Sequence, residues 1–130
     1  MISNPGGFIV NGVSFFGGAG ENLNDLRKFT VGMSDPIEQM KFLLEARHWV
    51  PTAPFTVPCF PYQIEDNLTL KETPRVAFSG CQEKADIGAI GRGDANVLIL
   101  SVPKFCESKC VMLLDLNEMK CYDAFFGQVN

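Results

Sequence analysis

One histidine and five cysteines are the side chains of this 130-residue sequence best suited to nucleophilic or metal chemistry. His48 with Cys59 or Cys81 would make a thiol–imidazole pair, in which the histidine draws the proton from sulfur. Nothing in the spacing supports that pairing, and a lone histidine more often serves as a hydrogen-bonded structural group. Cys106 and Cys110 stand close in sequence, but a closed zinc site takes four ligands, usually as two close pairs, and only one pair exists. Phosphodiester hydrolysis by two metal ions needs several His and Asp ligands around the pair of ions. A chain whose histidine count is one cannot assemble that set. Glu65, Asp66, Asp115 and Asp123 read as turn and surface carboxylates, not as a general acid and base. On residue types alone, no catalysis, metal or cofactor is expected.

The elements that would position these groups are legible in part. Phe8–Val10, then Asn11-Gly12, then Val13–Phe16 place a favoured type I′ turn pair between β-prone runs, which predicts a hairpin. Gly17, Gly18 and Gly20 lead into Asn22, read as a helix cap, with Leu23 and Leu26 on one face of a short helix. Such a turn can cradle phosphate, but a P-loop would add Lys followed by Ser or Thr, and neither follows. A tight strand-to-helix connection is the expectation. Asp35, Pro36 and Glu38 then open a clearer helix, striped by Ile37, Met40, Leu43 and Leu44 and ending near Arg47. Phe42 falls on its polar side and is a candidate partner contact.

Four prolines between Pro51 and Pro61 exclude helix and disfavour a central strand. An extended connection docked on the parent domain is expected, with Phe55, Phe60 and Tyr62 as anchors or partner contacts. Arg75–Phe78, Val97–Val102, Cys110–Leu114 and Met119–Tyr122 read as short strands, the last two joined by a turn at 116–118. The 83–95 stretch, with Gly88, Gly91 and Gly93, reads as a loop. Its Arg92-Gly93-Asp94 tripeptide is a coincidence of sequence.

Composition bounds the rest. A chain of this length buries roughly two thirds of its unfolded surface, enough for one core. Its apolar fraction is 46% with 20% charged residues, ordinary for a globular domain and too apolar for disorder. Eleven Phe against two Tyr and one Trp add core or interface area without polar handles. A net charge of −4 argues against direct grip on a nucleic-acid backbone. No apolar run has the length to span a bilayer, and MISNPGGF has no signal-peptide pattern. Reduced thiols in an intracellular protein are therefore expected.

The run His48-Trp49-Val50-Pro51-Thr52-Ala53-Pro54, followed by Cys59-Phe60-Pro61-Tyr62, resembles the C-terminal region of the small (second) subunits of eukaryotic DNA polymerase delta. Those subunits belong to the wider B-subunit family of polymerases alpha, delta and epsilon. Asn11–Phe15, Gly20–Asp25, Glu45–His48, Thr73–Gly80, Val97–Pro103 and Phe125–Gly127 match in the same order, so the resemblance covers nearly the whole chain. It implies an α+β fold, the C-terminal half of a calcineurin-like phosphodiesterase β-sandwich, mostly antiparallel with two helices near the N-terminus. Residues 1–130 would then be part of an inactive phosphodiesterase-like domain, a fragment without the family's upstream OB-fold and first half-domain. Active archaeal relatives carry Gly-His-x-His at a strand end. Here Gly80 remains, while Cys81 and Glu83 stand in the histidine places, degenerate metal positions from which no hydrolysis follows.

The function implied is that of a non-catalytic accessory subunit in DNA replication. Its partners would be the cysteine-rich C-terminal module of the catalytic subunit and a third accessory subunit. DNA would be met only indirectly, in the nucleus, with no membrane. An isolated half-sandwich is expected to self-associate through unpaired edges and an apolar face. Two other readings stand beside this one: a divalent-metal phosphodiesterase or nuclease, and an independent β-rich interaction domain.

Overall fold

The computed structural model describes residues 2–61, 64–91 and 96–127. The predicted hairpin forms from β1 (Gly6–Val10) and β2 (Val13–Gly18), which pair in register from Val10–Val13 to Gly6–Gly17. Asn11 and Gly12 both take positive φ, 48° and 78°, as a type I′ turn demands. β2 runs through Ala19 and Gly20 directly into α1 (Glu21–Leu26). Gly20, at φ 98°, caps this helix, and a Cβ there would collide with the Gly80 carbonyl oxygen. The glycine turn is thus a tight connection. Asn22 does not cap: it lies buried inside the helix and donates through Nδ2 to the Trp49 carbonyl at 2.8 Å.

α2 (Pro36–Ala46) follows its predicted signals. Asp35 Oδ1 accepts from the Ile37 N–H at 3.0 Å, Pro36 occupies the first turn, and Arg47 ends the helix in the left-handed region at φ 54°. Glu38 turns to Lys41 at 2.7 Å instead of reaching back to the cap. Ile37, Met40 and Leu43 are buried, each fully buried side chain being worth roughly 1.5–3 kcal/mol.

β3 (Val76–Gln82), β4 (Asp86–Ile90) and β5 (Val97–Pro103) complete a five-stranded sheet of order β1-β2-β3-β5-β4. β2–β3 and β3–β5 are parallel, while β1–β2 and β4–β5 are antiparallel. The edges of the sheet are antiparallel, but its centre is not. A parallel centre needs a crossover to cover its face. Here α1, α2 and the segment after them do so, burying Leu23, Leu26, Met40, Trp49, Ala77 and Ile99 in one core. Residues 86–90, expected as loop, are instead the edge strand β4. Their Gly88 is required by packing, since a Cβ there would strike Ile37.

A single-turn helix, α3 (Phe105–Ser108), was not anticipated. It leads to a separate hairpin of β6 (Cys110–Asp115) and β7 (Lys120–Phe125). Its turn, at 116–119, is fixed by Asp115 Oδ1, which accepts from the N–H groups of Asn117 at 2.8 Å and Glu118 at 3.2 Å. Among the described residues no helix is long and apolar enough to cross a membrane.

Candidate functional site

The end of β3 lies beside the start of α1, and its side chains are set by a bulge. Ser79 pairs with Ser101 but Gln82 with Pro103, so β3 carries one extra residue there, and Cys81 takes φ 52°. The bulge throws Cys81 outward and turns Gln82 inward, where it is 1% exposed. Glu83 is also exposed. Gln82 Nε2 donates to the Gly80 carbonyl at 2.8 Å and to Ser79 Oγ at 3.3 Å. Its Oε1 accepts from Arg27 Nη2 at 2.9 Å, and Arg27 Nη1 donates to Asn24 Oδ1 at 3.1 Å. A guanidinium therefore occupies the space inside this strand end. Among the described residues no three His, Cys, Asp or Glu side chains gather as metal ligands. Sequence reading singled out Cys81 and Glu83 and passed over Gln82. Strict alternation would have turned all three differently, and only the positive φ at Cys81 reverses it.

The motif His48–Pro54 sits across the other side of α1. Residues 47–50 run beside 68–70, with Trp49 N–H to Leu68 O at 2.8 Å and Leu70 N–H to Arg47 O at 2.9 Å. Trp49 is 1% exposed and meets Phe16 edge-on, centroids 5.4 Å apart. His48 is half-buried, pairs through its backbone with Thr69, and its Nδ1 has no hydrogen-bond partner. Pro51 and Pro54 face solvent, the Ala53–Pro54 peptide is cis, and Ala53 packs on the core.

Thr52 and Thr56 turn toward Asp25 on α1, a residue not foreseen as important. Asp25 is buried, accepts from Thr56 Oγ1 and pairs with Lys28 at 3.0 Å. Its pKa falls from 3.8 to about 2, held down first by the Thr52 hydroxyl, then by Thr56 and Lys28. Thr56 Oγ1 makes the hydrogen bond to Asp25, whereas Thr52 Oγ1 is buried without a hydrogen-bond partner. The Trp49 carbonyl and the Thr56 hydroxyl thus tie the 48–56 segment to Asn22 and Asp25 of α1.

Of the residues expected to anchor that segment, Phe55 does not. Phe55 is 92% and Phe60 75% exposed, while Trp49, Val50, Ala53 and Val57 make the docking contact. Tyr62 lies outside the described residues, as does the Arg92–Asp94 tripeptide. Phe42 is exposed on α2 as expected. The hairpin adds exposed Leu113, Tyr122 and Phe125, with Phe126 edge-on to Phe105. All five cysteines are free thiols. Cys106 is exposed and Cys110 buried, and burial raises the Cys121 pKa.

The chain as a whole has relatives. Residues 1–86 match the family model for the B-subunit of DNA polymerases alpha and epsilon. The protein named DNA polymerase delta small subunit of Oryza sativa subsp. japonica is 33% identical over 126 residues, 96% of this chain and 29% of that protein. That of Arabidopsis thaliana is 32% identical over 130 residues, 98% of this chain and 29% of its own. The one from Saccharomyces cerevisiae is 28% identical over 142 residues, 92% and 29%. The chain therefore spans 29% of the length of these curated relatives. With the family model covering residues 1–86, the chain belongs to the DNA polymerase alpha/epsilon B-subunit family.

Proposed function

We propose that this chain acts by protein contact, as the C-terminal portion of the accessory small subunit of DNA polymerase delta, and carries out no hydrolysis. The observation that carries the reading is similarity over 96–98% of the chain to two proteins of that name. The strand end is consistent with it: Cys81 and Glu83, which the resemblance puts at the histidine positions, are exposed, and Gln82 between them is bound to the Arg27 guanidinium, a group that repels a divalent cation. Gly80, Cys81 and Glu83 are then the remnant of a site in a calcineurin-like phosphodiesterase half-domain. A sheet with a parallel centre beside a separate hairpin suits that architecture. The protein serves DNA replication in the nucleus and bridges the catalytic subunit's cysteine-rich C-terminal module and a third accessory subunit. DNA is met through those partners. Phe42, Phe55, Phe60 and the hairpin are the contact candidates as exposed aromatics, and Tyr62 is one by residue type alone.

The test is co-purification of the full-length protein with the C-terminal module of the same organism's catalytic subunit. A stable complex is expected; two proteins that elute separately would sink the reading. Isolated, the chain self-associates through the hairpin, because two strands alone form a marginal unit and this pair shows Leu113, Tyr122 and Phe125 to solvent. Light scattering over a wide concentration range reads this directly, and an unchanging monomer mass would count against it.

A further inference from the structure

β1 is the outer strand of the sheet, at the opposite side from β4. The two-residue turn fixes which of its backbone groups are used. Val10 and Val13 form the closing hydrogen-bonded pair, so Phe8 and Gly6 also bond toward β2. The N–H and C=O groups of Gly7 and Ile9 consequently point away from the sheet. Natural edges are usually blunted by Lys, Pro or a bulge, but Gly6-Gly7-Phe8-Ile9-Val10 has none of these and pairs without a register shift.

A groove of about 770 Å³ runs beside this edge. Gly7 and Phe16 share its floor, and a Cβ at Gly7 would come within 3.4 Å of the Phe16 ring. The glycine thus leaves the ring edge uncovered, an apolar slot next to free backbone groups. The far wall is the 65–74 segment, bearing Glu65, Asp66 and Glu72 against the single Lys71. Lys71 is bound to Glu65 at 2.8 Å and Arg47 donates to the Lys71 carbonyl and to Thr73 Oγ1 at 3.3 and 3.2 Å, which leaves one carboxylate in excess on the wall of a chain already at −4.

We propose that the β1 edge is a strand-addition site that takes an extended, basic segment of a partner protein. The segment's backbone pairs with Gly7 and Ile9, an apolar side chain enters the slot over Gly7 and Phe16, and Lys or Arg side chains meet Asp66 and Glu72. Main-chain bonds supply affinity in this mode and alternate side chains supply selectivity. A second copy of this chain fits less well. The edges of its five-stranded sheet, β1 and β4, carry no basic residue to meet the wall, and the one lysine on the hairpin strands, Lys120, is bound to Glu118 at 2.8 Å. The assignment stands on groove and edge alone and does not depend on which complex the protein joins.

The probe is a synthetic peptide of alternating Lys and Val, compared with its Glu–Val counterpart and with a version carrying a central Pro. Binding to the 130-residue chain is read by fluorescence anisotropy, and position by amide hydrogen exchange. The Lys–Val peptide is expected to bind, to protect the Gly7 and Ile9 amides, and to weaken with added salt. Ile9→Pro removes an outward donor and no ladder bond, and Glu72→Lys reverses one wall charge; each should weaken binding about tenfold or more. Equal binding of the Glu–Val peptide, indifference to both variants, or no binding at all would overturn the proposal. So would protection at β4 or β7 instead, or concentration-dependent protection of Gly7 and Ile9 without peptide, which would make a second copy the occupant.

Discussion

Replacing Gln82 tests whether the interior of the β3 strand end is held by hydrogen bonds. The side chain is 1% exposed and makes three: to Arg27, to the Gly80 carbonyl and to Ser79. Gln82→Met keeps the volume and removes all three. A bond to a charged donor contributes about 1.5–3 kcal/mol and each neutral one about 1 kcal/mol. Arg27 is half-buried and keeps Asn24, so it recovers some solvation on losing its partner. The net loss should be about 2–4 kcal/mol. With a urea slope of about 1–3 kcal/mol/M for a small domain, the unfolding midpoint drops by roughly 1 M or more, at unchanged slope. Arg27→Met should cost less, and the double variant should fall short of the sum of the singles by about 1 kcal/mol or more. A Gln82→Met stability within about 0.5 kcal/mol of the parent, or strict additivity with Arg27→Met, would refute the idea that this pair holds the strand end together.

Three further outcomes are expected. Gly20→Ala combines φ 98° with a collision against the Gly80 carbonyl, so it should cost about 3 kcal/mol or more in a thermal melt, far beyond the effect of Gly12→Ala in open space. Asp35→Ala removes the cap bond to Ile37 and should lower stability by about 0.5–2 kcal/mol, largely restored by Asp35→Ser. Asp25 has its pKa depressed from 3.8 to about 2, so its contribution is present above pH 4 and fades as pH falls from 4 toward 2. Asp25→Asn should therefore be less stable than the parent at pH 7, with the gap closing over that acid range in a pH series of urea melts; a constant gap would argue against the linkage.

Much of the backbone was legible because its signals are local. Asn11-Gly12 dictates its hairpin, Asp35-Pro36 its helix start, and the apolar runs at 76–78, 97–102 and 110–114 their strands. What failed was decided by contacts distant in sequence. Asn22 looks like a cap until Trp49 offers a carbonyl, which frees Gly20 to cap instead. Asp86–Ile90 looks like a loop because glycine weakens a strand, yet Gly88 is the residue that lets Ile37 approach. Phe55 looks like an anchor by hydrophobicity, but Trp49 and Val50 fill the core and leave it 92% exposed. At the candidate site, Gly80, Cys81 and Glu83 were readable as a motif. Gln82 was not, because a bulge decides which way a side chain faces and the bulge follows from pairing with β5.

The parallel pairing of β2 with β3 also sets an order of events on the ribosome. Phe15 pairs with Val76, a partner 61 residues later in the chain. At about 5–20 residues per second of synthesis, β2 waits roughly 3–12 s with one edge open. Hairpin closure takes microseconds, so β1 and β2 form early and stand as a sticky ribbon of phenylalanines until the crossover has been made. Nascent-chain length, more than final stability, then governs when this sheet is exposed to chaperones, and slowing translation between residues 18 and 76 should increase its capture by them.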